Sequence, residues 1–287
     1  MTTQNDTQVK CPIPNGKLMI IGGAENKLHS GELKDEKKLE IHRKFLSLIG
    51  KENPVIGVVT TASEEDIEGT FKAYRTTFEA ICSCTVYHIH HQKITEIEER
   101  EVEKQLDAMD ALFFTGGDQL KLTSIYGGSS FLYQAKDRYI YHELVIGGTS
   151  AGAMALSTPM IFAGNGADEM IAGEVKITTG FEFLKDVCID THFVQRGRFL
   201  RMAQVIATNP ACIGTGIEEN TAIVVSNGNE AEVFGSGVVV VLDARKNTAN
   251  NIIEFDESKV LSIRGLCMDI LGAGNQFVFN LLNQPHF

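Results

Sequence analysis

The sequence predicts an α/β domain with a doubly wound, mainly parallel sheet and an antiparallel C-terminal extension. Three observations carry that expectation. Four short apolar runs each end in Gly, Ser or Thr, charged segments of helical spacing lie between them, and the texture changes after about residue 215. A near-continuous apolar run is how a strand covered on both faces reads, and such strands alternating with helices build a parallel sheet.

The first run is "KLMIIGG" at 17–23, after a polar tail, 1–16, that lies outside the domain expected for 17–287. "ELKDEKKLEIHRKFLSLIG" follows, with Leu33, Leu39, Ile41, Phe45, Leu46 and Leu48 at helical spacing. The second run is "VIGVVTTAS" at 55–63. "ITEIEEREVEKQLDAMD" at 94–110 is helical in composition and leads to "ALFFTGG" at 111–117. The fourth run, "ELVIGGTS" at 143–150, opens into the small residues "AGAMAL". Beyond it, "TAIVVSNGNEAEVFGSGVVVVLDAR" at 221–245 reads as two or three strands turned at "NGN" and "GSG". "VLSIRGLCMDILGAGNQFVF" at 260–279 adds two strands across a glycine-rich turn.

Composition narrows the function. At 287 residues the chain can bury a large core, and 43% hydrophobic with 22% charged residues is ordinary for a globular protein. A net charge of −11 argues against nucleic acid, which needs a basic surface. No apolar run approaches the roughly 18 residues that span a bilayer, so no membrane partner is expected. The first 16 residues lack a secretory h-region, which gives a cytoplasmic expectation. Cys11, Cys82, Cys84, Cys188, Cys212 and Cys267 are scattered, and "CSC" at 82–84 has no second pair for zinc. Buried free thiols, no metal and no cofactor are the expectation.

Gly148-Thr149-Ser150-Ala151-Gly152 satisfies G-x-S-x-G, the nucleophile elbow, and stands where that motif must stand, between a strand and a helix. A nucleophilic serine needs a base, and the base an orienting acid. Of the histidines, His88, His90 and His91 read as a surface strand, and His286 lies in a terminal tail. His192, in "CIDTHFVQRGRFLRM", stands where a strand ends and is the best candidate base. The same stretch holds Arg196, Arg198 and Arg201, the densest basic cluster in an acidic chain. They either pair with the protein's own carboxylates or hold a substrate carboxylate; nearness to His192 favours the second. Oxyanion donors would be the N–H of Ala151 and that of Gly116 or Gly117 in "FFTGGDQ", with Gln119 close enough to reach substrate.

Together, "GGTSAGA", "FTGGDQ", "DTHFVQRGRFLRM" and "GIEENTAIVV" resemble the cyanophycinases, serine peptidases in the same family as the aspartyl dipeptidase peptidase E. "LMIIGGAENK" and "VLSIRGLCMDIL" extend the resemblance over roughly residues 17 to 279. It implies a flavodoxin-like core related to class I glutamine amidotransferases, usually a homodimer. It also implies hydrolysis of cyanophycin, a poly-aspartate bearing arginine on its side chains, to β-aspartyl-arginine. The implied nucleophile falls on Ser150, the histidine on His192 and the triad acid on Glu219, with Glu218, Asp168 and Glu169 as alternatives. The implied substrate-binding residues are Gln119, Asp190, Arg196, Arg198 and Arg201. One departure stands out: Thr191 replaces the glutamine common before the catalytic histidine, which weakens the expectation of efficient polymer cleavage. The nearest rival is a dipeptidase acting on small α-aspartyl peptides. An esterase using His286, or a non-catalytic sensor retaining the elbow, fits the motif set less well.

Overall fold

A computed structural model describes residues 12–28, 39–164, 169–253 and 259–279. Its first half alternates strand and helix: β1 (Leu18–Ile21), α1 (Glu40–Ile49), β2 (Val55–Val59), α2 (Ile67–Ile81), β3 (Thr85–Ile89), α3 (Glu99–Asp107), β4 (Ala111–Phe114), α4 (Gln119–Tyr126), α5 (Ser130–Tyr141) and β5 (Val145–Thr149). Its second half runs α6 (Ala151–Ala155), four short strands β6 (Ser157–Thr158), β7 (Met160–Ala163), β8 (Lys176–Thr178) and β9 (Leu184–Lys185), then β10 (Val187–Thr191), α7 (Phe199–Thr208) and β11 (Ile213–Ile217). The C-terminal strands are β12 (Thr221–Ser226), β13 (Glu230–Gly235), β14 (Val239–Asp243), β15 (Ala249–Asn250), β16 (Ile263–Arg264), β17 (Cys267–Leu271) and β18 (Gln276–Val278).

The eight-stranded central sheet has the order β18-β13-β12-β1-β5-β4-β2-β3, parallel from β1 to β3 and antiparallel from β12 outward. Side chains alternate across it, as a pleated strand requires. Met19, Val58, Phe113 and Val145 pack with Phe45 of α1 and Phe78 of α2. Ile20, Phe114 and Ile146 face the other way, onto Leu106 of α3, Leu122 of α4 and Met202 of α7. The adjacent Phe113 and Phe114 therefore anchor opposite layers, which is why the run has no polar positions.

The C-terminal strands, expected as an antiparallel extension on the sheet or its edge, are divided between two sheets. The β12–β13 hairpin does extend the central sheet, but β10, β11, β14 and β17 form a second, four-stranded sheet. The chain leaves the central sheet at Gly235, the last residue of β13, whose φ of +112° and the 2.3 Å that would separate a Cβ from Asn220 O admit only glycine. β17 and β18 flank the predicted glycine-rich turn, yet one pairs with β14 and the other with β13. The expected helix over 94–110 is also split into a 3₁₀ turn at Ile94–Glu96 and α3. The Glu96 carboxylate there accepts the N–H groups of Gln92 and Lys93, capping the start of the 3₁₀ turn and setting it off as a separate element from α3. Leu33 of the expected first helix lies outside the described residues. Of the cysteines expected to be buried, Cys188 and Cys212 are so, Cys82 and Cys84 are half-buried, Cys267 is exposed and Cys11 lies outside the described residues. Among the described residues no helix is long and apolar enough to cross a membrane.

His42 of α1 is fully buried against Tyr74, Phe78 and Phe113, and neither ring nitrogen has a hydrogen-bond partner among the described residues. Burial pushes its pKa down to about 4 from 6.5. An unfolded chain therefore takes up this proton first as pH falls, and stability held above pH 6.5 is lost on the way to pH 4, by about 3 kcal/mol. His42→Leu is expected to flatten stability over that window in urea denaturation series from pH 7 to pH 4. An unaltered slope would contradict the assignment.

Candidate active site

Ser150 stands at the junction of β5 and α6 with φ +51° and ψ −117°, a conformation that non-glycine residues adopt only where the surroundings enforce it. The enforcement is steric. A Cβ on Gly148 would lie 2.7 Å from Gly152 O, and one on Gly152 would lie 2.3 Å from Phe114 O. Both flanking positions must be glycine for the turn to close.

Ser150 Oγ lies 3.0 Å from His192 Nε2, and His192 Nδ1 lies 2.6 Å from Glu219 Oε1. These residues come from the ends of β5, β10 and β11, and the loop after β1 gathers them. The carbonyls of Ile21, Gly22 and Gly23 accept, in order, the N–H groups of Ser150 at 3.1 Å, His192 at 2.8 Å and Asn220 at 3.0 Å. Gly23 lies against the imidazole, for a Cβ there would stand 2.4 Å from His192 Nε2. No site role was expected for Gly22 and Gly23, although paired glycines at a strand end are the signal that marks this loop.

Of the three competing carboxylates, Glu218 and Glu169 lie among the described residues. Glu218 accepts the N–H groups of Val194 at 2.6 Å and Gln195 at 3.0 Å, so it holds the turn after His192 rather than the imidazole. Glu169 is buried next to α7, its carbonyl accepting from Gln204 at 2.7 Å. Asp168 and His286 lie outside the described residues. The histidines in and just after β3 are engaged elsewhere: His88 and His90 meet Thr60 Oγ1 at 2.8 and 3.0 Å, and His91 meets Tyr126 OH at 3.0 Å. Among the described residues no group of three or more His, Cys, Asp or Glu is placed to hold a metal.

Two cavities meet at Ser150. One, of about 520 Å³, is lined on the imidazole side by His192, Gly116, Glu25 and Tyr74. The other, of about 300 Å³, is lined by Gly117, Ala151, Gln119, Arg196, Arg198 and Arg201, with Thr191 at its base. Gly116 fits directly beside the serine, since a Cβ there would stand 3.3 Å from Ser150 Cβ. Gly117, at φ +138°, has no room for a side chain against Ala62 O.

Residues 27–233 match the model of peptidase family S51. The chain belongs to that family. It is a peptidase of the serine hydrolase kind, similar to the cyanophycinase of Synechococcus elongatus, with 31% identity over 260 residues that cover 91% of this chain and 78% of that protein. The cyanophycinase of Geminocystis herdmanii is 27% identical, with 91% and 92% covered. Among solved structures, a peptidase from an acI-B1 actinobacterium superposes with a TM-score of 0.64 at 19% identity, covering 93% of this chain and 98% of that one. A Listeria monocytogenes protein described as a candidate peptidase E gives 0.53 at 16%, covering 77% and 99%. At those identities the last two show the fold alone.

In this S51 peptidase the arginine cluster is built differently from the expectation that Asp190 itself meets substrate. Asp190 is fully buried. Its carboxylate accepts from Arg198 Nη1 at 3.1 Å, from Arg201 Nε at 2.6 Å, from Arg201 Nη2 and from the Thr191 N–H at 2.9 Å, leaving it no free face for a ligand. Asp190 thus holds Arg198 and Arg201 in place, while Arg196 is exposed and has no ion pair among the described residues. Burial draws the Arg198 guanidinium below its usual range, and the Asp190 charge opposes that. Gln119 spends its amide N–H on Ile161 O at 2.9 Å. The Thr191 hydroxyl is buried without a hydrogen-bond partner among the described residues. Asp190→Ala would strand two buried cations, and a loss of about 3–5 kcal/mol in urea denaturation is expected. A wild-type midpoint would contradict that account.

Proposed function

We propose that the chain hydrolyses aspartyl peptide bonds, cyanophycin being the favoured substrate, through an acyl-enzyme on Ser150. The observation that carries the reading is the continuous hydrogen-bonded line Glu219–His192–Ser150, with steps of 2.6 and 3.0 Å. Ser150 Oγ attacks the scissile carbonyl as His192 Nε2 takes its proton. Glu219 accepts from Nδ1–H, fixing the tautomer and balancing the imidazolium. The oxyanion forms near the N–H of Ala151 and that of Gly116 or Gly117. His192 then gives its proton to the leaving amine, and water, activated by the same imidazole, frees the acyl group.

The substrate assignment draws on the cyanophycinase relatives and on the chemistry of the smaller cavity. Arg196, Arg198 and Arg201 line the cavity next to Ser150 and suit a carboxylate there, the α-carboxylate of the arginine on each cyanophycin side chain or the free side-chain carboxylate of an α-aspartyl peptide. Thr191 supports a second reading, a dipeptidase cutting small α-aspartyl peptides, because it carries no amide to meet a polymer side chain. The order β3-β2-β4-β5 supports a flavodoxin-like classification, its fifth parallel position filled by β1. The homodimer belongs to the same proposal and rests on the resemblance.

Product analysis by mass spectrometry separates the two substrates. β-Aspartyl-arginine released from cyanophycin supports the first reading, and cleavage confined to short α-aspartyl peptides supports the second. Turnover of neither would overturn both.

A further inference from the structure

Glu25 is the one carboxylate in the wall of the larger cavity that is almost wholly buried, at 3% exposure. It follows Gly23 by two residues, in the loop that gathers Ser150, His192 and Asn220. Its Oε2 accepts from Thr149 Oγ1 at 2.5 Å, and Thr149 is the last residue of β5 before the elbow. Its Oε1 accepts from Tyr74 OH of α2 at 2.5 Å and faces Lys27 Nζ at 3.1 Å. Burial by itself raises the pKa of such a carboxyl, but the Lys27 charge and the hydrogen bonds from Thr149 and Tyr74 outweigh it and hold the group ionised.

A buried charge at this position is a poor choice for filling space, since an apolar side chain would fill it without desolvating an ion. A carboxylate does one thing an apolar or amide group cannot: each of its oxygens accepts a hydroxyl proton and neither donates. Glutamine would set an N–H₂ against one of the two hydroxyls and force that hydroxyl to turn. The geometry therefore calls for a group that grips Thr149 and Tyr74 at once, joining the strand that enters the elbow to α2.

We propose that Glu25 is a positioning residue for the nucleophile, its carboxylate clamping the Thr149 hydroxyl and so fixing the backbone that carries Ser150. The proposal rests on Ser150 being the nucleophile. It acts through placement, and misplacement of a reacting atom by about 1 Å costs on the order of 100-fold in rate.

The test is the rate at which a small fluorophosphonate labels Ser150, read per folded molecule alongside a thermal melt. Thr149→Val keeps the shape and removes the hydroxyl; a fall of about 10- to 100-fold in labelling rate is expected, with KM for a peptide substrate held within about 3-fold. Thr149→Ser restores the hydroxyl and recovers most of the rate, which a purely packing role would not predict. Glu25→Gln falls comparably, and the Thr149→Val/Glu25→Gln pair falls no further than the worse single change, because both cut one link. If Thr149→Val does not fold, Glu25→Gln carries the same test. A folded variant labelled at the wild-type rate overturns the clamp while leaving Ser150 as nucleophile. A wild-type protein that takes no label at Ser150 overturns both.

Discussion

Ser150→Ala is expected to lower kcat/KM on the aspartyl substrate by about 10⁴- to 10⁶-fold while leaving the melting temperature close to that of the wild type. The size follows from the role: without Oγ no acyl-enzyme forms, and what remains is the attack of water in a pre-arranged site. The fold should survive because the elbow is enforced from outside the side chain. Gly148 and Gly152 close the turn, and the Ser150 N–H is held by Ile21 O at 3.1 Å, none of which depends on the hydroxyl. Alanine carries the same Cβ into the same strained φ. Circular dichroism and steady-state kinetics on one preparation check both halves, and wild-type turnover would sink the role given to Ser150.

Glu219→Gln should lower kcat by about 10²- to 10⁴-fold with a small change in KM. The amide can still lie against His192 Nδ1, but it brings no charge to the imidazolium that forms as Ser150 attacks. In one rotamer its N–H also favours the wrong tautomer. The neighbouring residue supplies the contrast. Glu218 holds the Val194 and Gln195 N–H groups, so Glu218→Gln should act through the loop that carries Arg196, raising KM more than it lowers kcat. Kinetics on the two variants over a range of substrate concentrations distinguish the two glutamates. If Glu218→Gln gave the larger fall in kcat, the triad acid would have to be reassigned.

The elbow was legible because its requirements are local: two glycines, a strand before and a helix after, all within about ten residues. His192 was legible for a related reason, standing at the end of β10 with the arginines one helical turn on. The part of Glu219 came from the resemblance and not from spacing, since adjacent glutamates at the end of β11 differ only in which way the backbone turns them.

Other features depended on pairings distant in sequence. β17 and β18 are separated by four residues and belong to different sheets, a choice set by β14 and β13 rather than by the turn between them. Asp190 read as a ligand-facing acid because its burial beneath Arg198 and Arg201 appears only once α7 packs on β10. Glu25 lies in "LMIIGGAENK", which carries part of the resemblance, but nothing local marks its role. An acid in a polar loop, "GGAENK", reads as solvent-exposed, and only the approach of Thr149 and Tyr74, 124 and 49 residues away, converts it to a buried anion.

The central claim is that Ser150, activated by His192, is the nucleophile. Intact mass and peptide mapping after treatment with a fluorophosphonate test it most directly. The account predicts a single adduct on Ser150, formed far more slowly in His192→Ala and absent in Ser150→Ala. An unlabelled wild-type protein, or an adduct on another residue with Ser150 untouched, would contradict it.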